Sequence, residues 1–292
     1  MSSIGVVHLV RKENGIEPFR NFLESYRNVE AGVEHDLIII FKGFAGESGR
    51  RPFAELLDGT QCKTLDAPEG GFDIGPYCRA AAAFDYSYFC FLNSFSAIPG
   101  NDWLYKLFRA VSKEGVGLAG ATGSYQSFTP SSLKSYVALS RQIKNRGPVK
   151  NMIMALPFAP HLNFYRLRLR YGPRFRHFPN YHIRTNAFMV PKDVMTYAAS
   201  HRVRSKMDAY RFESGKHSLT TQVMEAGLRA VVVGADGEAY EKEEWHQSNT
   251  FWQDRQQNLL VEDNQTRHYA KGTGALRNVL SRFAWGQFAR PS

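Results

Sequence analysis

The stretch Tyr86-Ser87-Tyr88-Phe89-Cys90-Phe91-Leu92, followed directly by Asn93-Ser94-Phe95-Ser96, carries most of the information about the fold. Residues 86–92 form the longest dense apolar stretch of the chain. This stretch has the length of a strand and is far shorter than the roughly 18 apolar residues of a membrane-spanning helix. Polar side chains begin at Asn93. The pattern therefore predicts a buried strand with polar groups beyond its carboxyl end.

Strand-like and helix-like patterns alternate on both sides of this strand. Apolar runs with strand character lie at residues 4–10, 35–41, 62–65, 116–119, 182–190 and 228–233. Helical spacing or helix-start signals lie at residues 17–29, 52–57, 77–84 (with Asp73 as a candidate N-cap), 102–113, 191–199 and 215–226. Such alternation predicts an α/β protein, with an open and mostly parallel sheet flanked by helices.

Changes in composition predict how the chain is organised. Residues 1–234 are expected to form one domain, and residues 124–176 are expected to be an insertion with one or two helices, because proline and glycine interrupt the pattern there. Residues 235–292 are expected to form a C-terminal extension that is first polar and rich in glutamine and then basic.

Composition narrows the class of protein. The chain has 292 residues, of which 43% are hydrophobic, enough to bury a core. Its three cysteines show no C-x-x-C spacing, so reduced thiols are expected. The N-terminus has no signal-peptide pattern, which leads us to expect a cytoplasmic protein. The net charge of +10 favours phosphates, nucleic acid or an anionic membrane surface as partners, without choosing among them.

Ligands of open α/β sheets bind beyond the carboxyl ends of the strands. That rule predicts a binding site built from residues 10–13, 42–44, 93–96 and 120–124.

The central strand and its surroundings resemble the GT-A glycosyltransferases, in particular the inverting family 2 type. In that family a helix with Gly and Arg precedes a strand that ends in a D-x-D metal motif. Here Gly75-Pro76-Tyr77-Cys78-Arg79 stands at the helix position and Asn93-Ser94-Phe95 at the D-x-D position. Arg184-Thr185-Asn186-Ala187-Phe188 looks like the acceptor-side strand. Phe212-Glu213-Ser214-Gly215 looks like the acidic loop that opens the helix carrying the catalytic base.

The resemblance implies transfer of a sugar, with inversion, from a nucleotide-sugar donor to a carbohydrate or glycolipid acceptor in surface polysaccharide synthesis. Glu213 is the candidate base, and a position at a helix N-terminus would favour its ionised form. The candidate donor-site residues are Val10, Arg11, Lys42, Asp73, Arg79, Asn93, Ser94 and Ser96. The candidate acceptor-side residues are Arg184, Thr185, Asn186 and Trp245. Trp245 would stack on a sugar ring, with core packing as the alternative.

The D-x-D position departs from the family because it contains no carboxylate. Mn²⁺ and Mg²⁺, the metals that the resemblance implies, prefer hard oxygen ligands and usually bind carboxylates. His246 is a candidate metal ligand. Three interpretations are open: the metal is held elsewhere in the protein, arginines replace the metal, or the protein does not catalyse sugar transfer. The last supports an alternative function, a non-catalytic GT-A-like module that binds a nucleotide sugar or a glycan.

Two basic segments suggest further contacts. The alternation in Arg166-Leu167-Arg168-Leu169-Arg170 predicts a strand with its arginines on one side. Such a row of arginines would suit a phosphate-bearing or lipid-linked acceptor. Alternatively, it would form a solvated edge or an edge that faces another subunit. Residues 275–290 predict a basic amphipathic helix that either rests on an anionic membrane surface or packs on its own domain. Nucleic acid is not expected as a partner, because no recognised binding motif is present.

Overall fold

The computed structural model describes residues 3–70, 72–129, 159–198, 203 and 205–289. Its centre is an eight-stranded sheet. The strands of this sheet are β1 (Ile4–Arg11), β2 (Asp36–Lys42), β3 (Lys63–Ala67), β4 (Tyr88–Leu92), β5 (Val116–Gly120), β8 (Ala187–Pro191), β9 (Arg229–Val233) and β10 (Ala239–Tyr240). Two short strands, β6 (Gly123–Ser124) and β7 (His182–Ile183), form a separate antiparallel pair.

The strand order across the large sheet is β10-β9-β5-β8-β4-β1-β2-β3. The neighbouring pairs β4/β1, β1/β2 and β2/β3 run parallel, as do β5 and β9. Strand β8 lies between β4 and β5 and is antiparallel to both, and β10 is antiparallel to β9. The predicted open, mostly parallel sheet is therefore confirmed.

Helices cover both faces of the sheet. They are α1 (Glu17–Arg27), α2 (Gly46–Glu55), α3 (Ile74–Ala83), α4 (Trp103–Val111), α5 (Ala159–Tyr171), α6 (Lys192–Ala198), α7 (Lys206–Ser214), α8 (Leu219–Glu225), α9 (Asn264–Ala270) and α10 (Gly274–Trp285). None of the helices in the described part of the chain is long and apolar enough to cross a membrane.

The continuous apolar strands are explained by a core on each face of the sheet. Successive side chains of a strand point to opposite faces. Phe89 and Phe91 therefore pack with Tyr77 on one side, whereas Cys90 and Leu92 pack on the other side with the α1 and α4 layer. A strand buried on both faces has few positions for polar residues, so its sequence shows an apolar run rather than an alternation.

Three predicted elements have clearly different boundaries in the structure. The helix predicted at 52–57 is α2, which begins at Gly46, so Pro52 lies inside the helix and not at its start. The apolar segment 182–190 is divided into β7 and β8 by residues 184–186, whose polar side chains are held by other parts of the chain. The predicted helix at 215–226 begins only at Leu219, because the Ser218 side chain accepts a hydrogen bond from the Thr221 backbone and caps the helix there.

The predicted arginine strand is wrong. Residues 166–170 belong to helix α5, where Pro160 and Phe164 are buried. Proline is tolerated in the first turn of a helix, and Leu and Arg are good helix formers. The arginines consequently point in different directions around the helix, and Leu162, Tyr165 and Leu169 lie on its exposed side. Of the predicted insertion at 124–176, residues 130–158 lie outside the described residues.

The predicted C-terminal amphipathic helix is α10, and its apolar side packs inward. Trp285 and Ala284 are fully buried, and the indole nitrogen of Trp285 donates to the Phe251 carbonyl at 2.8 Å. Both residues belong to the same core as Phe89 and Phe188 of the sheet. In the described residues up to 289, the apolar face of α10 therefore packs on the rest of the protein and not on a membrane surface.

Candidate functional site at the carboxyl edge of the sheet

Two cations stand side by side where strands β1 and β2 end. Arg11 and Lys42 are the last residues of these strands and are register partners across the parallel pair. The Lys42 ammonium donates to the Phe72 carbonyl at 2.8 Å. Arg11 forms an ion pair with Glu13, and its guanidinium lies 3.6 Å from Asp73. The sequence prediction that Arg11, Lys42 and Asp73 belong to one site is consistent with this arrangement.

Burial shifts the pKa values of two groups in this cluster. Lys42 is 1% exposed, and burial, followed by the charge of Arg11, lowers its pKa. Burial raises the pKa of Asp73, although Arg11 and Lys42 oppose that shift. Clustered pKa shifts of this kind are typical of functional sites.

Several buried polar atoms around this cluster have no hydrogen-bond partner within the described residues. They are Arg11 Nε, Asp73 Oδ1 and the Tyr77 hydroxyl. The pKa of Tyr77 is raised, first by burial and then by the charge of Asp73. Buried polar atoms in folded proteins are almost always paired. Unpaired donors and acceptors gathered at one edge therefore mark a place where a polar ligand would complete the hydrogen bonding.

Asp73 does not cap helix α3 as predicted. Its backbone is already helical, with φ −82° and ψ −32°, and its side chain makes no hydrogen bond to the first turn. An N-cap residue needs an extended backbone to aim its side chain at the helix N–H groups. The Asp73 carboxylate turns instead towards Arg11.

Glu213 lies in the last turn of α7 and not at the start of a helix. The predicted stabilisation by a helix N-terminus is therefore wrong. One carboxylate oxygen, Oε2, accepts hydrogen bonds from the Thr185 backbone at 3.0 Å and from the Thr185 hydroxyl at 2.5 Å. The charge of Glu213 contributes to the raised pKa of Asp73, so the two carboxylates belong to one electrostatic neighbourhood.

His182 also belongs to this neighbourhood, and sequence reasoning missed it. Its Nδ1 donates to the Asn180 carbonyl at 2.8 Å, which leaves Nε2 as the acceptor of the neutral ring. Burial, with a smaller contribution from Arg184, lowers the pKa of His182, whereas Glu213 opposes that shift. A single histidine in a polar-flanked segment offers no local signal for such a position.

The turn after β4 is built by its own side chains. Asn93 Oδ1 accepts hydrogen bonds from the Phe95 backbone at 3.0 Å and from the Ser96 hydroxyl at 3.1 Å. The Asn93 N–H donates to the Asn186 carbonyl at 2.8 Å, which joins the turn to the start of β8. The Ser94 hydroxyl is buried without a hydrogen-bond partner in the described part of the chain.

This turn does not fit a divalent metal. It supplies no carboxylate, and the amide oxygen of Asn93 already accepts two hydrogen bonds. Among residues 3–70, 72–129, 159–198, 203 and 205–289, no three His, Cys, Asp or Glu side chains are grouped as a metal site requires. His246 packs beside Tyr125 and Phe288, with Nδ1 3.3 Å from the Tyr125 hydroxyl.

The candidate acceptor-side residues make the following contacts within the protein. Arg184 forms an ion pair with Asp263 at 2.8 Å and lies over the Phe251 ring. Asn186 accepts a hydrogen bond from Thr122 at 2.6 Å, and its buried Nδ2 has no hydrogen-bond partner within the described residues. Trp245 is 0% exposed and its indole nitrogen donates to the Tyr240 carbonyl, so the predicted stacking on a sugar is wrong. Its bulk fills the core beside Gly123.

Two candidate donor residues do not reach the site with their side chains. The Val10 side chain is buried in the core on the α1 side of the sheet, so only its backbone faces the edge. Arg79 is exposed on α3, and in the described part of the chain it makes no hydrogen bond or ion pair with Arg11, Lys42 or Asp73.

The opposite edge of the sheet also has surface grooves. One of about 740 Å³ is lined by residues that include Tyr86 and Lys192. Their polar atoms are already paired: Tyr86 donates to Asp36 at 2.5 Å and Lys192 to Asp85 at 2.8 Å. The carboxyl edge, where buried polar atoms lack partners, is therefore the better candidate site.

No family model and no curated protein matches the sequence. Solved structures of similar fold include a mannosyltransferase of Pyrobaculum calidifontis in complex with GDP-Man and Mn²⁺, at 10% identity and a TM-score of 0.49, covering 85% of this chain and 60% of that chain. Another is glucosyl-3-phosphoglycerate synthase from Mycobacterium tuberculosis with Mn²⁺, UDP and phosphoglyceric acid, at 15% identity and a TM-score of 0.35, covering 66% of this chain and 57% of that one. A third is S. aureus TarS 1-349 with UDP-GlcNAc, at 12% identity and a TM-score of 0.31, covering 40% of this chain and 33% of that one.

Each of the three is at most 15% identical to this chain and has a TM-score below 0.5. This chain spans less than two thirds of the length of each of the three.

Proposed function

We propose that this protein is a glycosyltransferase of the GT-A type that moves a sugar from a nucleotide-sugar donor to a carbohydrate or glycolipid acceptor. The observation that carries the proposal is the cluster of buried Lys42 with half-buried Arg11 and Asp73 at the carboxyl ends of β1 and β2, in which Arg11 Nε and Asp73 Oδ1 are buried atoms without a hydrogen-bond partner among the described residues. It lies where ligands of open α/β sheets bind. The acceptor class, the surface-polysaccharide pathway and the cytoplasmic location are parts of this proposal that rest on the sequence.

The cluster suits a nucleoside. Asp73 Oδ1 can accept a hydrogen bond from a base N–H or a ribose hydroxyl, and Arg11 Nε can donate one. Lys42 fixes the approach to α3 through the Phe72 carbonyl and supplies positive charge beneath the site. Nucleoside binding would pair the atoms that are now buried without partners.

Glu213 is the proposed general base. In a single displacement, the acceptor oxygen forms a bond to the anomeric carbon, the bond from that carbon to the nucleoside diphosphate breaks, and Glu213 takes the acceptor proton. Thr185 holds one carboxylate oxygen with two hydrogen bonds and so fixes the direction of the other. Such positioning contributes to catalysis because it aligns the reacting groups in advance.

One observation favours a second candidate function. The turn after β4 has no carboxylate, so the chain lacks the metal motif of the family that it resembles. A non-catalytic module that binds a nucleotide sugar or a glycan would share the nucleoside site and would not turn the sugar over.

The first test is donor binding. We expect one of the UDP-, GDP-, CMP- and dTDP-sugars to stabilise the protein, by about 2.7 kcal/mol at a hundredfold its Kd. Asp73→Ala should weaken this effect, because it removes the buried acceptor oxygen. The control Asp85→Asn changes a fully exposed carboxylate and should leave it unaltered. Absence of a thermal shift with all four classes of donor would exclude the nucleotide-sugar proposal.

The second test separates catalysis from binding. Glu213→Gln should lower kcat by about a hundredfold or more while donor affinity is retained. The control Glu24→Gln alters an exposed residue of α1 and should keep full activity. Wild-type protein that binds a donor and transfers no sugar to any carbohydrate or glycolipid acceptor would point to the non-catalytic module.

A further inference from the structure

An arginine from the C-terminal segment stands at the turn that follows β4. Arg267, on α9, donates from Nη2 to the carbonyl of Phe95 at 2.9 Å. Its Nη1 lies 3.8 Å from Glu262, and its side chain remains 34% exposed. A guanidinium has five N–H donors, so these contacts leave several of them available to a ligand.

The chain holds Arg267 in this place from two sides. Ala97 and Glu262 exchange backbone hydrogen bonds of 2.9 and 3.0 Å, which fixes the segment before α9 against the end of the turn. Asp263 then caps α9 and pairs with Arg184 beside β8. The position of the guanidinium is therefore set by ordered backbone.

Two buried polar groups without hydrogen-bond partners in the described part of the chain lie in this turn and in the segment bonded to it. The Ser94 hydroxyl and the Asn186 amide nitrogen are 4% and 3% exposed at the residue level, and neither atom has a hydrogen-bond partner in the described part of the chain. Both can donate to an oxygen ligand. The turn thus has a cation beside it and one unpaired donor of its own, and the segment hydrogen-bonded to it contributes a second unpaired donor.

The charges of the turn agree with this assignment. In a carboxylate-bearing turn, the negative charges are compensated by the divalent ion that they bind. Here the turn is neutral and the positive charge comes from Arg267, partly offset by Glu262. A diphosphate at this turn therefore meets no carboxylate of the turn itself, and Arg267 offers it a positively charged donor.

We propose that Arg267 binds the diphosphate of the donor in place of a divalent cation, and that donor binding is independent of metal. The proposal rests on the proposed function, since it concerns the same donor. The planar fork of an arginine matches paired phosphate oxygens better than a point charge does.

The test is calorimetric titration of the full chain with UDP, GDP, CDP and dTDP, in excess EDTA and in Mn²⁺. We expect one of them to bind with the same affinity in both buffers. Arg267→Gln should weaken that nucleotide by about 10- to 100-fold through the loss of a charged hydrogen bond. It should leave the affinity of the corresponding nucleoside, measured by ligand-observed NMR, unchanged. Arg267→Lys should restore part of the loss.

The matched control is Arg255→Gln, an exposed arginine of the same segment, which should bind the diphosphate like the wild type. Binding that requires Mn²⁺ would overturn the inference and leave the transferase proposal standing. An equal loss of nucleoside and diphosphate binding in Arg267→Gln would assign Arg267 a structural role at the turn and would also overturn it. Failure of every nucleotide to bind in both buffers would instead remove the proposed function itself.

Discussion

His8 is a buried imidazole that takes no part in the candidate site. It lies on β1 at 0% exposure, and its ring stacks on Phe22 with centroids 3.6 Å apart. Neither ring nitrogen has a hydrogen-bond partner within the described residues. Burial lowers the pKa of His8 to about 3. The ring is consequently neutral at physiological pH and behaves as an aromatic core residue.

His8 should make the protein sensitive to mild acid. Its folded pKa is lower than its unfolded value of about 6.5, so its contribution to stability is present above that value and is lost as the pH falls. From pH 7 to pH 5, His8 should reduce the free energy of unfolding by about 2 kcal/mol. His8→Phe should remove this part of the pH dependence, as measured by urea denaturation at several pH values.

The exposed control His217→Gln should keep the wild-type pH dependence. His182, whose pKa is also lowered, should leave a residual loss of the same sign in both variants. Equal slopes for His8→Phe and the wild type would contradict the assignment of His8.

Arg184 and Asp263 form a buried ion pair, with side chains 12% and 1% exposed. Arg184→Met should destabilise the protein by about 3–5 kcal/mol, because it leaves a buried carboxylate without its partner. Guanidinium denaturation measures the change. The control Arg51→Met breaks an exposed pair with Glu55 and should change stability by less than about 1 kcal/mol. If both variants lost a similar amount of unfolding free energy, burial of the ion pair would not be the cause of the destabilisation.

Helix α10 contains a glycine, Gly274, at a position where the backbone conformation does not require glycine. Gly274 lies in the first turn after the cap Thr273, and an added Cβ would meet nothing within 4 Å. Gly274→Ala should therefore stabilise the protein by about 0.5–1 kcal/mol, because alanine loses less backbone entropy on folding. The melting temperature is the readout.

Gly123 on β6 is the opposite case and serves as the comparison. A Cβ there would lie 2.8 Å from Val232 and 2.9 Å from the Trp245 ring. Gly123→Ala should cost about 1–3 kcal/mol, since the surrounding core has no room for the methyl group. A Gly274→Ala variant that is less stable than the wild type would show that the start of α10 is constrained by more than its own turn.

At the scale of the whole molecule, the C-terminal residues complete the core of the sheet. Trp245, Tyr269 and Trp285 are at most 1% exposed and belong to the same cluster as Phe89 and Phe188. We therefore propose that residues 235–289 unfold together with the sheet. All strands of the large sheet except β10 nevertheless come before residue 235 in the sequence.

This proposal predicts a single unfolding transition. Three of the four tryptophans, Trp245, Trp252 and Trp285, lie after residue 234, so tryptophan fluorescence reports mainly on that part, whereas far-UV circular dichroism reports on the whole chain. The two transitions should coincide. Trp285→Ala should shift both by the same amount and lower stability by about 3–5 kcal/mol. Fluorescence that changes before circular dichroism would show that the C-terminal part folds separately.

The sequence was sufficient for the sheet and for part of the site. Apolar runs such as residues 86–92 are recognisable because burial on both faces leaves few places for polar residues. Strand ends follow from the return of polar side chains, and parallel neighbours bring their carboxyl ends together. Arg11 and Lys42 could therefore be predicted as neighbours although 30 residues lie between them.

Other positions depended on contacts that local patterns do not contain. Glu213 lies near the end of a helix instead of opening one, because Ser205 caps α7 and Ser218 caps α8. Nothing in the sequence around these two serines marked them as the residues that begin the helices. Trp245 enters the core only because glycine at position 123 leaves space for its ring. Arg267 meets Phe95 across 172 positions of the chain. Periodicity reports which face of an element is buried, whereas the partner of an exposed or half-buried polar group is chosen by the packing of distant segments.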